Sequence, residues 1–327
     1  MHPSPATKTG APQPAPAPAP TGTPAPPAAP APTAAPARAF VAVALANVAL
    51  AFGPWFVRLA DTGPVAAAFW RIALAAPVLV ALSGFGGWRP RGLPRGVWLM
   101  TAVAGIAFAA DLGSWHLGIL RTTLANATLF GNSASFIFPV YGFLVARAWP
   151  TRYQALALAL AAAGGGLLMG RSYQLDPRHL AGDLLCLLAG VLYAVYFVLM
   201  ARARDTLAPL PALTLSTLAS ILPLLGFALL LGERIVPHAW GPLVLLALVS
   251  QLIGQGLMIY ALGRLSPLVV GIALLIQPVV AATIGWVVYG ERLGLPDLLG
   301  ALLVAAALVL VRDRRLAGPP AAKDKAA

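Results

Sequence analysis

Arg71 and Asp111 each lie inside a long apolar run, "AFWRIALAAP" (68–77) and "AFAADLGSWH" (107–116). A charge at the centre of a membrane helix costs about 2.5–3.5 kcal/mol on insertion scales, so such residues pair, line a wet cavity or reach the interface. At about 1.5 Å per residue, Arg71 falls about 9 Å and Asp111 about 12 Å below the same membrane edge. Three readings stand: Arg71 snorkels to headgroups, the two form a structural pair, or one or both act in transport. His116, five residues after Asp111, is turned from it by about 140°, whereas Trp115 at i+4 shares the Asp111 face. His116 is either an interface anchor or a proton site, because imidazole titrates near neutral pH.

The amides form a second set. Asn126 falls near His116 in depth and Asn132 near Asp111. Gln251 and Gln255 stand one turn apart on one face. Gln277 precedes Pro278, whose ring frees a backbone carbonyl. Amides in lipid seek partners, so each is helix–helix glue or a solute contact; Asn47 leans to glue, and Tyr193 and Tyr196 to packing. The candidates for substrate binding or coupling are therefore Arg71, Asp111, Trp115, His116, Asn126, Asn132, Gln251, Gln255 and Gln277. Catalytic motifs are missing: no His-Glu-x-x-His, phosphate loop or Gly-x-Ser-x-Gly elbow occurs. Neither a cofactor nor a metal is expected, and the single cysteine, Cys186, excludes an intrachain disulfide.

The elements that position these residues follow from composition. Of 327 residues, 59% are apolar and 10% charged, against about 25% charged in a soluble domain; mean hydropathy is +0.83. Ten apolar runs emerge: 40–57, 65–83, 96–119, 123–146, 153–170, 183–202, 211–231, 241–261, 267–289 and 296–312. Lipid leaves no partner for a free backbone amide, so the runs must be helices, and the alternating strands of a barrel are not seen. Residues 1–38, nearly all Pro and Ala, cannot bury a core and read as an extended disordered tail. With both termini on one side, 15 Lys and Arg fall on that side, 6 on the other, and Arg71 alone inside a run. That bias predicts cytoplasmic termini and accounts for the net charge of +12 without nucleic acid.

The chain also repeats. "ILRTTLANATLFGNSASFIFPVYGFLVARAWP" (119–150) parallels "RLSPLVVGIALLIQPVVAATIGWVVYGERLGL" (264–295), with Pro278 thirteen residues before Glu291 and Ser135 thirteen before Ala148. Five runs per half is odd, so the halves are inverted relative to each other, as in secondary transporters.

On "AFWRIALAAP" (68–77), "ADLGSWHLGI" (110–119), "ANATLFGNSA" (125–134) and "IQPVVAATIGWVVYGERL" (276–293), residues 40–312 resemble EamA-type transporters of the drug/metabolite transporter superfamily. The specific marker is Pro278 followed by Gly290-Glu291-Arg292. The resemblance implies an all-α membrane protein of ten transmembrane helices in two inverted five-helix EamA repeats, usually exporting small metabolites, amino acids or drugs. Domains are expected at 1–38 (cytoplasmic tail), 39–171 (first repeat), 181–312 (second repeat) and 313–327 (cytoplasmic tail). The first half departs from the pattern: Ser135 replaces the usual proline, Pro139 follows four residues later, and Arg147-Ala148-Trp149 stands for Gly-Glu-Arg. That predicts a helix bending one turn late.

The functional expectation is a secondary transporter exporting a small solute by alternating access, multi-pass in the plasma (inner) membrane. Its partners are a small-molecule solute, membrane lipid and, as a coupling ion, protons; nucleic acid is excluded and oligomeric state is unread. The alternatives are an importer or facilitative pore of the same fold, and a membrane-embedded enzyme, disfavoured because Asp111 and His116 face apart.

Overall fold

The computed structural model describes residues 37–90, 92–119, 121–122, 130–170, 177–290 and 294–312. By contacts the chain divides into Met1–Thr33 and Ala34–Ala327, and the described residues all lie in the second unit. Asn126 and the Glu291-Arg292 marker fall outside the described residues.

The apolar runs are helical. They are α1 (Ala37–Ala51), α2 (Gly53–Leu59), α3 (Pro64–Phe85), α4 (Arg95–Ile119), α5 (Ala134–Ala146), α6 (Arg152–Gly170), α7 (Leu180–Ala203) and α8 (Pro209–Leu230). There follow α9 (Gly241–Leu262), α10 (Pro267–Leu274), α11 (Ile276–Tyr289) and α12 (Leu295–Arg312). Proline occupies the first turn of α2, α3, α8, α9 and α10, where its missing N–H and fixed φ fit a helix start. Among the described residues, seven helical runs are long and apolar enough to cross a membrane. The shorter α5 and α12 are also apolar, while α6 opens on the polar Arg152-Tyr153-Gln154. Leu222 and Val309 are more than two-thirds exposed on the outside of the bundle, as lipid-facing side chains are.

Three interruptions matter for the site. Span one breaks at Phe52 between α1 and α2, ahead of Gly53-Pro54. Leu275 separates α10 from α11 just before Pro278, which cannot donate to the helix ladder. Leu246–Gln255 within α9 is π-helical, a rare widened turn that concentrates at functional positions. In the first half the break falls at Asn132–Ser133, in the register of Leu275 under the sequence alignment. The late bend expected at Pro139 is therefore corrected: Pro139 lies inside α5 and packs against Gly271. The ends match too. Arg147 (φ 49°) closes α5 in the left-handed region, and aligned Gly290 (φ 67°) follows α11 in the same conformation.

Packing pairs each helix with partners from the other half. The main contacts are α4 with α7, α1 with α9, α4 with α8, α3 with α9, α5 with α7 and α1 with α11. Three further pairs are α3 with α8, α5 with α10 and α6 with α12. Exchanging the halves (α1–α2 for α7, α3 for α8, α4 for α9, α5 for α10–α11, α6 for α12) maps this set onto itself. Small residues permit the close approaches. A Cβ on Gly164 of α6 would come 2.7 Å from the Gly300 carbonyl oxygen of α12, so backbones touch there, an approach that only small residues allow.

Candidate functional site

The site grows from the middle of α3 and α4. Arg71 turns inward. Its Nε donates to Gln251 Oε1 at 3.1 Å, and Gln251 Nε2 donates to Thr217 Oγ1 at 3.1 Å. The guanidinium carbon stands 5.6 Å from the centre of the Phe108 ring, within cation–π range. The π-helical turn delivers Gln251 and Gln255, both fully buried. Asp111 on α4 is an electrostatic neighbour of Arg71, but the hydrogen bond of Arg71 goes to Gln251. The two charges are thus neighbours, and among the described residues no direct ion pair joins them.

His116 Nδ1 lies 2.5 Å from the Leu112 carbonyl oxygen. A carbonyl only accepts, so Nδ1 carries the proton and Nε2 the lone pair; Nε2 is buried without a partner among the described residues. The Trp115 ring meets the imidazole edge-on at 5.1 Å. Gln277 Nε2 donates to Asn47 Oδ1 at 2.8 Å, and Asn47 Nδ2 to the Val43 carbonyl at 2.7 Å, so Asn47 acts as glue holding Gln277.

These side chains enclose a cavity of about 460 Å³. Arg71, Asp111, Trp115, His116, Asn132 and Gln277 line it. Gln251 stands behind Arg71, and Gln255 lies against the hydroxyls of Tyr193 and Tyr196. Asp111 and His116 share the cavity despite their 140° separation because it also takes Leu112 and Trp115, a broad face of α4. Tyr193, read as packing, is a wall residue; Tyr196 is the packing one, stacked on Phe108 at 4.6 Å. Trp55, Arg58 and Thr62 were missed. The signal for Trp55 was present in "FGPWF", where Gly-Pro interrupts the helix at Phe52.

At the end of the bundle holding the α2–α3 turn, the loop after α8 locks onto α3. Glu233 accepts from the N–H of Val65 (3.3 Å) and Ala66 (2.7 Å), capping α3. Trp70 Nε1 donates to the Ile235 carbonyl at 2.6 Å, and Asp61 Oδ2 accepts from the His238 N–H at 2.8 Å. Glu233, just past the end of α8, thus caps a neighbouring helix.

Residues 180–312 match the EamA-like transporter family. The chain carries an EamA transporter domain. This bears out the resemblance read in the sequence; the described residues form helices without strands, and the domain match and the relative support a membrane transporter. The matched domain spans α7 to α12 and supplies Tyr193, Gln251, Gln255 and Gln277, while α3 and α4 outside it supply Arg71, Asp111, Trp115 and His116. An uncharacterized transporter of Archaeoglobus fulgidus is 24% identical over 272 residues, covering 79% of this chain and 91% of its own. A protein of known crystal structure shares the fold at TM-score 0.71 and 16% identity, over 87% of this chain and 99% of that one.

Proposed function

We propose that the protein is a secondary transporter exporting a small organic solute across the plasma (inner) membrane by alternating access. The observation that carries this reading is the cavity. It sits between the two halves, holds two opposite charges at mid-helix depth, and is about 460 Å³, within the usual range for small-molecule sites. Its wall runs to Arg58, Thr62 and Pro64 at one end. Toward the other, α7 passes from Tyr193 into fully buried Tyr196, Phe197 and Met200.

In this reading ten helices form two inverted repeats, 39–171 and 181–312, with tails 1–38 and 313–327. The exchange-symmetric packing, the aligned breaks at Asn132–Ser133 and Leu275, and the aligned left-handed ends at Arg147 and Gly290 support it. The Lys/Arg bias supports cytoplasmic termini, which makes the open end the outer one. Rocking of the halves would then open the inner end. There Arg204, just past α7, donates Nε to the Ile259 carbonyl of α9 at 3.1 Å and Nη1 to the Leu207 carbonyl, contacts within the second half that hold it together as it rocks. Protons are the candidate coupling ion, with His116 on the wall.

The test compares solutes in cells and medium of deletion and overexpression strains. An exporter's solute rises in the medium on overexpression and in the cell on deletion. The reverse pattern, or no change in any solute, would overturn export.

A further inference from the structure

A second hollow of about 470 Å³ lies between α1 and α9, at the end of the bundle away from the α2–α3 turn, and shares no lining residue with the central cavity. Arg38, Val41, Ala42 and Leu45 of α1 line it, facing Leu257 and Tyr260 of α9. Residues three and four apart share a helix face, so α1 presents one stripe that starts on a cation and runs into apolar side chains. Seven residues carry it from Arg38 to Leu45, about 10 Å along the helix axis. Val41 and Leu45 are more than half exposed while Ala42 is buried, which makes a groove with a small residue for its floor and open to the bilayer. On α9 the order is reversed, as in an antiparallel neighbour: Leu257, then Tyr260, then Arg264 just past the helix end.

The cations of this end lack a counter-charge. The Arg264 guanidinium carbon stands 3.9 Å from the centre of the Tyr260 ring, and Nη1 donates to the Tyr260 carbonyl at 3.2 Å, which fixes it beside the polar end of the groove. Arg204 lies against Gly263, where burial and then the Arg264 charge hold its guanidinium below the ordinary range. Arg38 has no acceptor or ion-pair partner among the described residues. Arg202, the remaining cation at this end of α7, is taken by the Tyr141 hydroxyl of α5 at 3.1 Å. Among the described residues Asp205 is the one acid at this end, so Arg38, Arg204 and Arg264 stand against a single carboxylate. A phosphate diester supplies the missing charge, and guanidinium groups suit it. Basic pockets between helices at a cytoplasmic surface take lipid headgroups for this reason. We infer that the groove is a binding site for one anionic phospholipid, its phosphate on Arg38 and Arg264 and an acyl chain along Val41, Ala42, Leu45 and Leu257. Because α1 and α9 belong to opposite halves, the lipid bridges them.

Native mass spectrometry of the full chain in detergent tests this, with dioctanoyl-phosphatidylglycerol titrated beside dioctanoyl-phosphatidylcholine. The two share chains and phosphate, but choline adds a cation that the arginines repel. One phosphatidylglycerol should bind about tenfold tighter than phosphatidylcholine, the margin expected of a charge-assisted contact. Arg38→Gln and Arg264→Gln should each shrink that preference, and together erase it. Arg152→Gln, on α6 off the groove although its guanidinium also stacks on a tyrosine, Tyr153, should leave it intact. Equal binding of the two lipids, or a preference reduced as much by Arg152→Gln as by the groove variants, would show diffuse attraction to a basic surface and overturn the site. sn-Glycerol 3-phosphate binding as tightly as phosphatidylglycerol would make it a site for free phosphate esters, and the acyl assignment would fall. If Leu45→Cys links two copies by a disulfide in native membranes, the face is an interface between copies, and the lipid is not its occupant.

Discussion

At the residue scale, Arg71 is held by a hydrogen bond to an amide and not by its opposite charge. Gln251→Leu removes the acceptor of Arg71 Nε and the donor to Thr217 together, leaving buried groups unpaired at about 1–3 kcal/mol. Asp111→Asn changes a carboxylate that receives no hydrogen bond among the described residues, so it should cost less. Thermal unfolding in nanodiscs should rank Gln251→Leu below Asp111→Asn; the opposite order would mean that Arg71 depends chiefly on the Asp111 charge. Arg147 occupies left-handed backbone at φ 49° with its side chain exposed. Such a conformation costs a non-glycine residue about 1–2 kcal/mol, so Arg147→Gly should raise the melting temperature, and a fall would contradict the strain. Asp61 concerns pH. The His238 N–H bonded to it holds its carboxyl below the ordinary range. A depressed folded pKa adds stability above the unfolded value of about 3.9 and loses it as pH falls through the folded value. The melting-temperature gap between wild type and Asp61→Asn should be present at neutral pH and close in acid. A gap constant with pH would show that the bond carries no charge-dependent stability.

At the element scale, every apolar run read from composition contains helix, because lipid permits nothing else across its core. Where those helices break was only half legible. Pro278 announced the break at Leu275, but the matching break at Asn132–Ser133 has no proline beside it and depends on packing of α5 against α10. The π-helical turn left no mark in the apolar pattern, although it sets the reach of Gln251. Helix-wheel angles misjudged His116, since a cavity broad enough to take Leu112 and Trp115 admits residues 140° apart. The run of glycines at 164–166 suits a close helix approach, but its partner, α12, was not legible. Gly164→Val forces a branched side chain against the Gly300 backbone, and overpacking of this kind costs about 1–3 kcal/mol. It should lower the melting temperature, while Gly166→Val, whose Cβ meets nothing within 4 Å, should leave it nearly unchanged. Equal effects would contradict the close crossing at Gly164.

At the scale of the whole molecule, the packing set survives exchange of the halves, and the cavity lies where they meet. Sequence marked six of the cavity-lining residues because polar groups in an apolar run stand out. It did not separate wall from packing among aromatics, where Trp55, Phe108 and Tyr193 face the cavity while Tyr196 does not. That distinction depends on neighbours contributed by other helices. The central claim is that this one cavity is presented to each side of the membrane in turn. Two-sided accessibility of a single cysteine tests it most directly. Ala281 lines the cavity on α11, and Cys186 is buried and removable as Cys186→Ala. In sealed vesicles, Ala281→Cys in that background should react with an impermeant maleimide added to either face. Locking the outer end with a disulfide should abolish reaction from that face alone and leave reaction from the other. Reaction from the α2–α3 end only, whatever the time and with no lock in place, would contradict alternating access.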